Sequence, residues 1–398
     1  DLILEMLMAG SVISKYWGVY LNDFMRLMGW NANTNLTFGS FHIDIAPIII
    51  VAFFTTLLVF GTKIGARVDG AMTVLKIAIV FFVVIVGFFY VKASNFTPFI
   101  PPSQPASTVE GSSAVTGVMT QPLWQFATGM TPSVYGVPGI LSGAALVFFA
   151  FIGFDVVATA SEETKNPHKN VPLGIGVGML LIIVMYMLVA VVTTGMVSYA
   201  DLAKQDSPSL ATAFELVGAD WAAKIISFGI VLGLATVVMV LLLGLTRIVF
   251  AMSRDGLLPR GLSKTGKHGT PAALQIVVGV VVALVAAFFD IGVLSDMVNI
   301  GTLSAFTLVA ISIPIMRKKR PDLPRAFKMP GNPWIPILIA VANFWLMLNL
   351  SVLTWIRFVV WLVVGFAIYF GYGYWHARLG KGDLTETLSA ETDKAVNG

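Results

Sequence analysis

Ionisable side chains within apolar stretches are the residues of this chain best suited to chemistry. Glu5 and Lys76 each lie in a predominantly apolar helical stretch, and Asp155 comes two residues after Gly153 in another. An ionisable group inside a lipid bilayer is costly and is usually either functional or paired. A carboxylate there can line a substrate or proton path, and a lysine whose pKa is lowered by desolvation can load and release a proton.

Each of these residues also has a purely structural interpretation. Glu5 could be a carboxylate exposed at a cut helix end, and Lys76 could extend its ammonium to the membrane interface. Gly153, followed so closely by an acid, predicts a helix that is interrupted halfway, a feature of transporter sites. It could instead be an ordinary packing glycine, with Asp155 hydrogen-bonded inside a helix bundle. The residue types alone leave these alternatives open.

Composition indicates that the elements carrying these residues lie in a membrane. Of 398 residues, 57% are hydrophobic and only 12% are charged, about half the charged share of a soluble domain. The chain has no Cys, and its four His are too scattered for a metal-ligand set. Motifs of metalloproteases, α/β-hydrolases and P-loop enzymes are absent, as is the basic, aromatic-interleaved pattern of a nucleic-acid binder. We expect a membrane protein that is not an enzyme, uses no cofactor and binds no nucleic acid.

Ten apolar windows account for most of the chain. A helix of roughly 20 apolar residues crosses the hydrocarbon layer of a bilayer, and the windows lack the alternation expected of membrane-spanning strands. They comprise residues 2–21, 46–60, 69–92, 140–154, 170–200, 225–246, 269–289, 297–316, 329–356 and 358–375. The sequence therefore predicts an all-α polytopic membrane protein with ten transmembrane helices.

Lys and Arg residues lie mainly on one side of these predicted helices, and short basic loops stay cytoplasmic. The basic side includes the stretches 63–67, 165–169, 247–267 and 317–328 and the tail 378–398, which we expect to be cytoplasmic. The opposite side has few basic residues, namely Arg26, Lys92, Lys204, Lys224 and Arg357. The Pro-, Ser- and Thr-rich stretch 94–139 is predicted to be an external loop.

Several stretches resemble one transporter superfamily. Residues 148–155 (FFAFIGFD) and 161–167 (SEETKNP) resemble the sixth helix and following loop of the amino acid–polyamine–organocation superfamily. The resemblance is closer to bacterial members of its cationic amino acid transporter family. Three further helices of that family, and the loop after the last of them, are matched by residues 1–5 (DLILE), 252–259 (MSRDGLLP), 299–306 (NIGTLSAF) and 324–327 (PRAF).

This resemblance implies the leucine-transporter type of fold, a five-plus-five inverted repeat. The ten predicted helices would be the family's helices three to twelve, with the first two not in this chain. Residues 1–93 would form a partial first repeat of three helices, and 94–139 the external loop. Residues 140–318 would form a second repeat of five helices, the first one broken. Residues 319–377 would form two C-terminal helices, followed by the cytoplasmic tail 378–398.

The resemblance also implies a substrate site at the broken helix. Backbone carbonyls around Phe148, Phe149 and Ile152 would bind the substrate ammonium, and Phe149 would be an aromatic gate over it. Glu5 matches the third-helix acid that lines the side-chain pocket. Met239 lies where the eighth helix lines that pocket, although Met is commonly core filler. If Met239 does line the pocket, it favours small neutral amino acids over Arg or Lys.

Coupling to protons is implied at two residues. Lys76 matches the fifth-helix lysine that occupies the place of a sodium ion in proton-coupled members of the family. A fixed cation there disfavours sodium coupling, because like charges repel strongly in a medium of low dielectric constant. Asp155 is the second candidate for proton coupling.

The sequence thus predicts a secondary transporter that imports L-amino acids across the inner (plasma) membrane by proton symport and alternating access. Two alternatives stay open: an amino acid exchanger of the same fold in which Lys76 is structural, and a transport-inactive fragment or receptor-like membrane protein. The expected partners are the amino acid, protons and the lipid bilayer, and the family leaves room for a small single-helix membrane subunit.

Overall fold

Helices make up most of the computed structural model, which describes residues 2–30, 34–38, 41–60, 66–108, 117–153, 166–205, 208–264, 270–322 and 328–377. In chain order the α-helices are α1 (Leu2–Leu27), α2 (Ile45–Val59), α3 (Ala66–Phe88), α4 (Leu123–Thr128), α5 (Gly136–Val147), α6 (Pro167–Met196), α7 (Tyr199–Ala203), α8 (Leu210–Leu216), α9 (Asp220–Arg254), α10 (Ala272–Phe288), α11 (Ile291–Lys319), α12 (Trp334–Leu348), α13 (Val352–Ile368) and α14 (Tyr374–His376). Short 3₁₀ turns lie at Ala93–Phe96, Ala106–Thr108, Phe148–Phe151 and Arg260–Ser263, and a π-turn at Tyr369–Gly373 joins α13 to α14.

The apolar helices match the windows that hydropathy predicts. Six helical segments of the described chain are long and apolar enough to cross a membrane: Leu2–Leu27, Gly70–Phe88, Lys169–Met196, Asp220–Arg254, Ile291–Lys319 and Val352–His376. Four shorter apolar helices accompany them: Ile45–Val59, Gly136–Phe151, Ala272–Phe288 and Trp334–Leu348. Each predicted window overlaps one of these helices. The structure is therefore that of a helical, multi-pass membrane protein.

One predicted boundary is wrong. The last two windows were divided at Arg357, but the chain turns at Asn349–Ser351, and Arg357 lies within α13. The turn is set by Ser351, whose side chain accepts a hydrogen bond from the Thr354 backbone N–H and so caps the start of α13. Arg357 sits near Asp296 of α11 and attracts it, while Thr354 Oγ1 donates to the Asp296 carboxylate at 3.0 Å. The arginine is thus part of a helix–helix contact.

One small antiparallel hairpin and one short antiparallel strand pair lie between the helices, and the sequence analysis does not predict them. Strands β1 (Asn35–Phe38) and β2 (Phe41–Asp44) pair directly before α2. Strands β3 (Gln104–Pro105) and β4 (Ser133–Val134) pair within the stretch predicted as an external loop, which also contains α4. α5 begins at Gly136, four residues before the predicted window.

The main core forms around α1. This helix packs most extensively on α9, then on α11, and also contacts α2 and α10. Its buried face is rich in small residues, Ala9, Gly10, Ser11, Ser14 and Gly18, which allow close approach between helices in a membrane. The apolar side chains around them include Met6 and Val12 of α1, Leu241 and Leu245 of α9, Val282 of α10 and Val298 of α11.

Two further apolar clusters hold the outer helices. One joins α3 and the end of α6 to α8 and the start of α9. The other joins α5 to α11, α12 and α13 through Ala145, Ile300, Leu303, Met347 and Phe358. α5 is thereby fixed against α11, and this contact positions the segment that follows it.

Candidate functional site

The chain leaves the helical conformation where the sequence predicts an interruption. α5 ends at Val147, a single 3₁₀ turn covers Phe148–Phe151, and Ile152 is extended. Gly153 then has φ of +110°, a conformation that glycine adopts readily and other residues rarely do. Residues 154–165 lie outside the described chain, so the second half of the broken helix and the proton-coupling role of Asp155 stay predictions.

Three backbone carbonyls around this break accept hydrogen bonds from defined donors. The Ile152 N–H donates to the Phe149 carbonyl at 3.1 Å. Tyr186 Oη of α6 donates to the Ala150 carbonyl at 2.7 Å, and Asn299 Nδ2 of α11 donates to the Leu146 carbonyl at 3.2 Å. Non-helical backbone is tolerated at membrane depth only where the protein or a water-filled cavity satisfies its polar groups. The break is thus a built feature with partners on two neighbouring helices.

Phe148 and Phe149, at the start of the break, belong to different clusters. Phe149 and Ile152 pack against the core cluster formed by α1, α2, α9, α10 and α11, and Met239 of α9 packs against the same cluster. Phe148 packs instead on the cluster of α5, α11, α12 and α13, and its ring lies edge-on to Phe306 with centroids 6.1 Å apart. The structure therefore groups Phe149, Ile152 and Met239 around α1 and directs the Phe148 side chain away from them.

Glu5 is buried in the same region of α1. Its side chain is 1% exposed, and the next residue, Met6, belongs to the core cluster with Val298 of α11. The alternative in which Glu5 is an exposed carboxylate at a helix end does not fit this position. An ionisable residue buried in a membrane helix is usually functional or paired, so Glu5 stays a candidate for a residue that lines a substrate or proton path.

Lys76 lies in the contact between α3 and α9. Its aliphatic stem covers Gly233, since a Cβ added to that glycine would lie 3.3 Å from Lys76 Cγ and 3.6 Å from Cε. The lysine is half-buried. Gly233 and Met239 are six residues apart on α9, which corresponds to about 9 Å along a helix. Lys76 thus contacts the helix that carries Met239, at a point about 9 Å along that helix from Met239.

Sequence reasoning missed three polar residues that the structure brings into contacts between helices. Lys15 of α1 has a side chain only 9% exposed and forms an ion pair with Asp44, the residue before α2. The pair borders a cavity of about 310 Å³ that Asp290 also lines. A signal for Lys15 existed, because it is an ionisable residue inside the apolar window 2–21. Tyr186 and Asn299 gave none, since neutral polar residues are common in membrane helices.

A larger cavity lies away from the break. It has a volume of about 630 Å³ and is bounded by the stretches 95–101, 133–142 and 194–203. Tyr135 and Tyr199 line it, with ring centroids 5.2 Å apart in an edge-on arrangement. None of the predicted site residues lies on its surface.

A multi-pass helical architecture, with an apolar helix that ends beside buried polar residues, is typical of the class of membrane permeases. The sequence pattern of the amino acid permease family matches residues 6–373. The branched-chain amino acid permease BcaP of Bacillus subtilis is 40% identical over 96% of this chain and 76% of its own length. The methylthioribose transporter of the same organism is 36% identical over the same shares. The vacuolar cationic amino acid transporter 4 of Arabidopsis thaliana is 32% identical over 81% of this chain and 50% of its own.

The chain belongs to the amino acid permease family. This confirms the superfamily to which its broken-helix segment points, with cationic amino acid transporters among its relatives. Members of this family are permeases and not enzymes, which agrees with the absence of catalytic motifs from the sequence.

Proposed function

We propose that this protein imports a neutral, apolar L-amino acid across the plasma membrane by proton symport and alternating access. The observation that carries the proposal is the break at Phe148–Phe151, held beside a buried acid-bearing helix in a chain of the amino acid permease family. Freed carbonyls at such a break suit an ammonium group, and buried apolar side chains suit an aliphatic substituent.

Two observations support a neutral, apolar substrate. Met239, Phe149 and Ile152 all pack against one apolar core cluster, and their apolar surfaces suit an aliphatic substituent. Relatives that are 40% and 29% identical, from Bacillus subtilis and Lactococcus lactis, are named branched-chain amino acid permeases. We therefore propose Leu, Ile and Val as the first substrates to test, together with the small amino acid Ala.

Lys76 is proposed as the proton-responsive residue. Its position between α3 and α9 places a titratable ammonium within the bundle. Desolvation favours the neutral amine of a lysine, and a change in its surroundings during alternating access would shift that balance. Glu5 and Asp155 are the proposed acidic groups of the same path, with Glu5 lining the side-chain pocket.

The proposed architecture is the five-plus-five inverted repeat, with the basic side and the tail 378–398 in the cytoplasm. This fold would require ten apolar helices within residues 1–377. The described residues contain ten, six of them long and four shorter. In this arrangement α5 and the segment after it would be the broken helix of the second repeat.

Uptake into proteoliposomes tests the proposal. The purified protein is reconstituted, and radiolabelled Leu, Ala and Arg are offered with and without an inward proton gradient. The proposal predicts gradient-driven uptake of Leu or Ala without internal amino acid, and little uptake of Arg. Gel analysis of the same preparation detects any small co-purifying subunit.

Three other outcomes would overturn parts of the proposal. Uptake that requires preloaded amino acid would identify an exchanger. Strong inhibition of uptake by methylthioribose, with no inhibition by amino acids, would assign the chain the specificity that its 36% identical relative is named for. Neither uptake nor binding of any of these compounds would favour a receptor-like protein.

A further inference from the structure

We propose that Tyr186 and Asn299 form a clamp that holds the break in α5 in its binding geometry. The clamp consists of two side-chain hydrogen bonds, one within the 3₁₀ turn and one just before it: Tyr186 Oη to the Ala150 carbonyl and Asn299 Nδ2 to the Leu146 carbonyl. The donors come from α6 and α11, so the turn is tied to two different helices. This inference rests on the proposed function, because it assigns the two residues to positioning of the ammonium-binding carbonyls.

The Tyr186 half of the clamp acts on the end of the turn. The carbonyl of Ala150 belongs to the last residues before the chain becomes extended at Ile152, where a helix leaves its acceptors without backbone donors. The hydroxyl of Tyr186 supplies such a donor at 2.7 Å. The Tyr186 ring also lies edge-on to Phe151 at 5.2 Å, so the residue contacts the turn through both its ring and its hydroxyl.

The Asn299 half acts on the helix before the turn. Asn299 is completely buried on α11, and its Nδ2 bonds the Leu146 carbonyl one residue before the end of α5. The neighbouring residue Ile300 packs with Ala145, and Phe306, further along α11, contacts the Phe148 ring. α11 therefore fixes both the backbone and the side chains that lead into the break.

The Asn299 amide also retains an unused acceptor. Its Oδ1 is buried and accepts no hydrogen bond within the part of the chain that the structure describes. A buried acceptor without a donor is costly, so a positioning role explains why Asn rather than an apolar residue occupies this site. Asn299→Leu would remove this half of the clamp while keeping a side chain branched at Cγ with the same number of heavy atoms.

Tyr186→Phe is the sharper test, because it removes one hydroxyl and keeps the ring contact with Phe151. The matched control is Thr194→Val on the same helix, whose hydroxyl bonds only carbonyls of its own helix, Ala190 and Val191. We expect Tyr186→Phe to raise the KM for amino acid uptake by about three- to tenfold, the scale of one hydrogen bond, with Vmax nearly unchanged. The control should change KM by less than about twofold.

Asn299→Leu should also raise the KM for amino acid uptake. Ser312→Ala is the control on α11, because the Ser312 hydroxyl bonds the carbonyl of Val309 in its own helix. Because both residues hold one segment, the double variant should show a combined effect that differs from the sum of the two single effects. Exactly additive effects on KM would mean that the two bonds do not hold a common element.

Hydrogen exchange separates this inference from the proposed function, because it needs no transport. Amides of residues 147–152 should exchange faster in both clamp variants than in the wild type and both controls. Faster exchange in the clamp variants, together with a wild-type protein that transports nothing, would reject the symporter and leave the clamp supported as a structural device. Unchanged exchange and unchanged KM in a Tyr186→Phe protein that transports would overturn the clamp.

Discussion

The role open to an ionisable residue of this permease depends on the helix–helix contact in which the residue lies. Glu5 is enclosed in the core around α1, whereas Lys76 reaches across Gly233 on the contact between α3 and α9. A lysine in that contact can respond to a small relative movement of the two helices, because the surroundings of its ammonium change when they slide. A residue anchored only by lipid would have no such coupling.

Replacing Lys76 by Gln tests this role. The amide retains much of the length and polarity of lysine but cannot load a proton, so we expect Lys76→Gln to abolish stimulation of uptake by an inward proton gradient. Amino acid binding should persist, because the proposed ligands of the substrate ammonium are backbone carbonyls of the break and not Lys76. The measurement is Leu uptake with and without the gradient, alongside equilibrium binding.

Lys92→Gln is the matched control for Lys76, since Lys92 is an exposed lysine just past the end of the same helix. It should leave the gradient response intact. A Lys76→Gln protein that still accumulates Leu in response to the gradient would contradict the assignment and shift the proton path to Glu5 or Asp155.

The buried ion pair between Lys15 and Asp44 makes a second prediction at this scale. Asp44→Asn leaves a largely buried ammonium without its counter-charge, and we expect a loss of about 1–3 kcal/mol in folding free energy, since the Asp44 carboxylate is partly exposed. The readout is the melting temperature in detergent. Asp201→Asn, at the exposed pair with Lys204, should change it little.

A double variant tests whether the unpaired charge causes the loss of stability in this second prediction. Lys15→Met combined with Asp44→Leu removes both charges and should recover part of the lost stability. Equal melting temperatures for Asp44→Asn and Asp201→Asn would show that the pair does not hold α1 to the start of α2.

Sequence reasoning recognised some site residues and overlooked others for a physical reason. Glu5 and Lys76 stand out because a charge within an apolar stretch is costly wherever the helix packs. Tyr186 and Asn299 do not, because their roles depend on which carbonyl lies opposite them, and that is set by tertiary packing. Lys15 is also a charge within an apolar stretch. The sequence analysis overlooks it because it treats the window that contains Lys15 as apolar along its whole length.

At the scale of elements, the fold depends on helices that approach closely at glycines. Gly279 of α10 faces Thr55 of α2, and a Cβ added to this glycine would lie 2.7 Å from Thr55 Cγ2 and 2.9 Å from Thr55 Cβ. The Cβ of a β-branched residue cannot rotate away from its backbone. The contact between α2 and α10 therefore requires glycine at this position.

Gly279→Ala should separate the two helices. We expect a loss of about 1–3 kcal/mol from overpacking, seen as a lower melting temperature in detergent. Gly178→Ala on α6 is the control, because a Cβ there would meet no atom within 4 Å. Alanine at that position should be neutral or mildly stabilising through helix propensity. Equal stability of the two variants would contradict the close contact.

The elements themselves were largely predictable, because hydropathy reports where a helix can lie in lipid. The windows identified the helix positions, and Gly153 marked the place where α5 gives way to an extended chain. The ends of the helices were predicted less accurately. Arg357, for example, lies inside α13 although it is charged, because Asp296 on a neighbouring helix attracts it. The short strands were not predicted, since strands of two to four residues carry no clear period.

At the scale of the whole molecule, the asymmetry of Lys and Arg gives the protein a direction in the membrane. The exposed ends of α3 and of α11 illustrate it: the first is followed by Lys92 alone, whereas the second ends in Arg317, Lys318 and Lys319. Three cations at one helix end favour the cytoplasmic side. In the proposed symport, the direction of transport and the side from which protons enter would both depend on this orientation.

Single cysteines test the orientation, because the natural chain contains none and gives no background. Ser94→Cys, in the exposed 3₁₀ turn after α3, should react with a membrane-impermeant maleimide added to intact cells. Asp322→Cys, in the exposed turn after α11, should react only after the membrane is permeabilised. Retained Leu uptake by each variant confirms that the labelled protein is folded. Labelling of both cysteines in intact cells, or of Asp322→Cys alone, would overturn the cytoplasmic placement of the basic side, and with it the assignment of import.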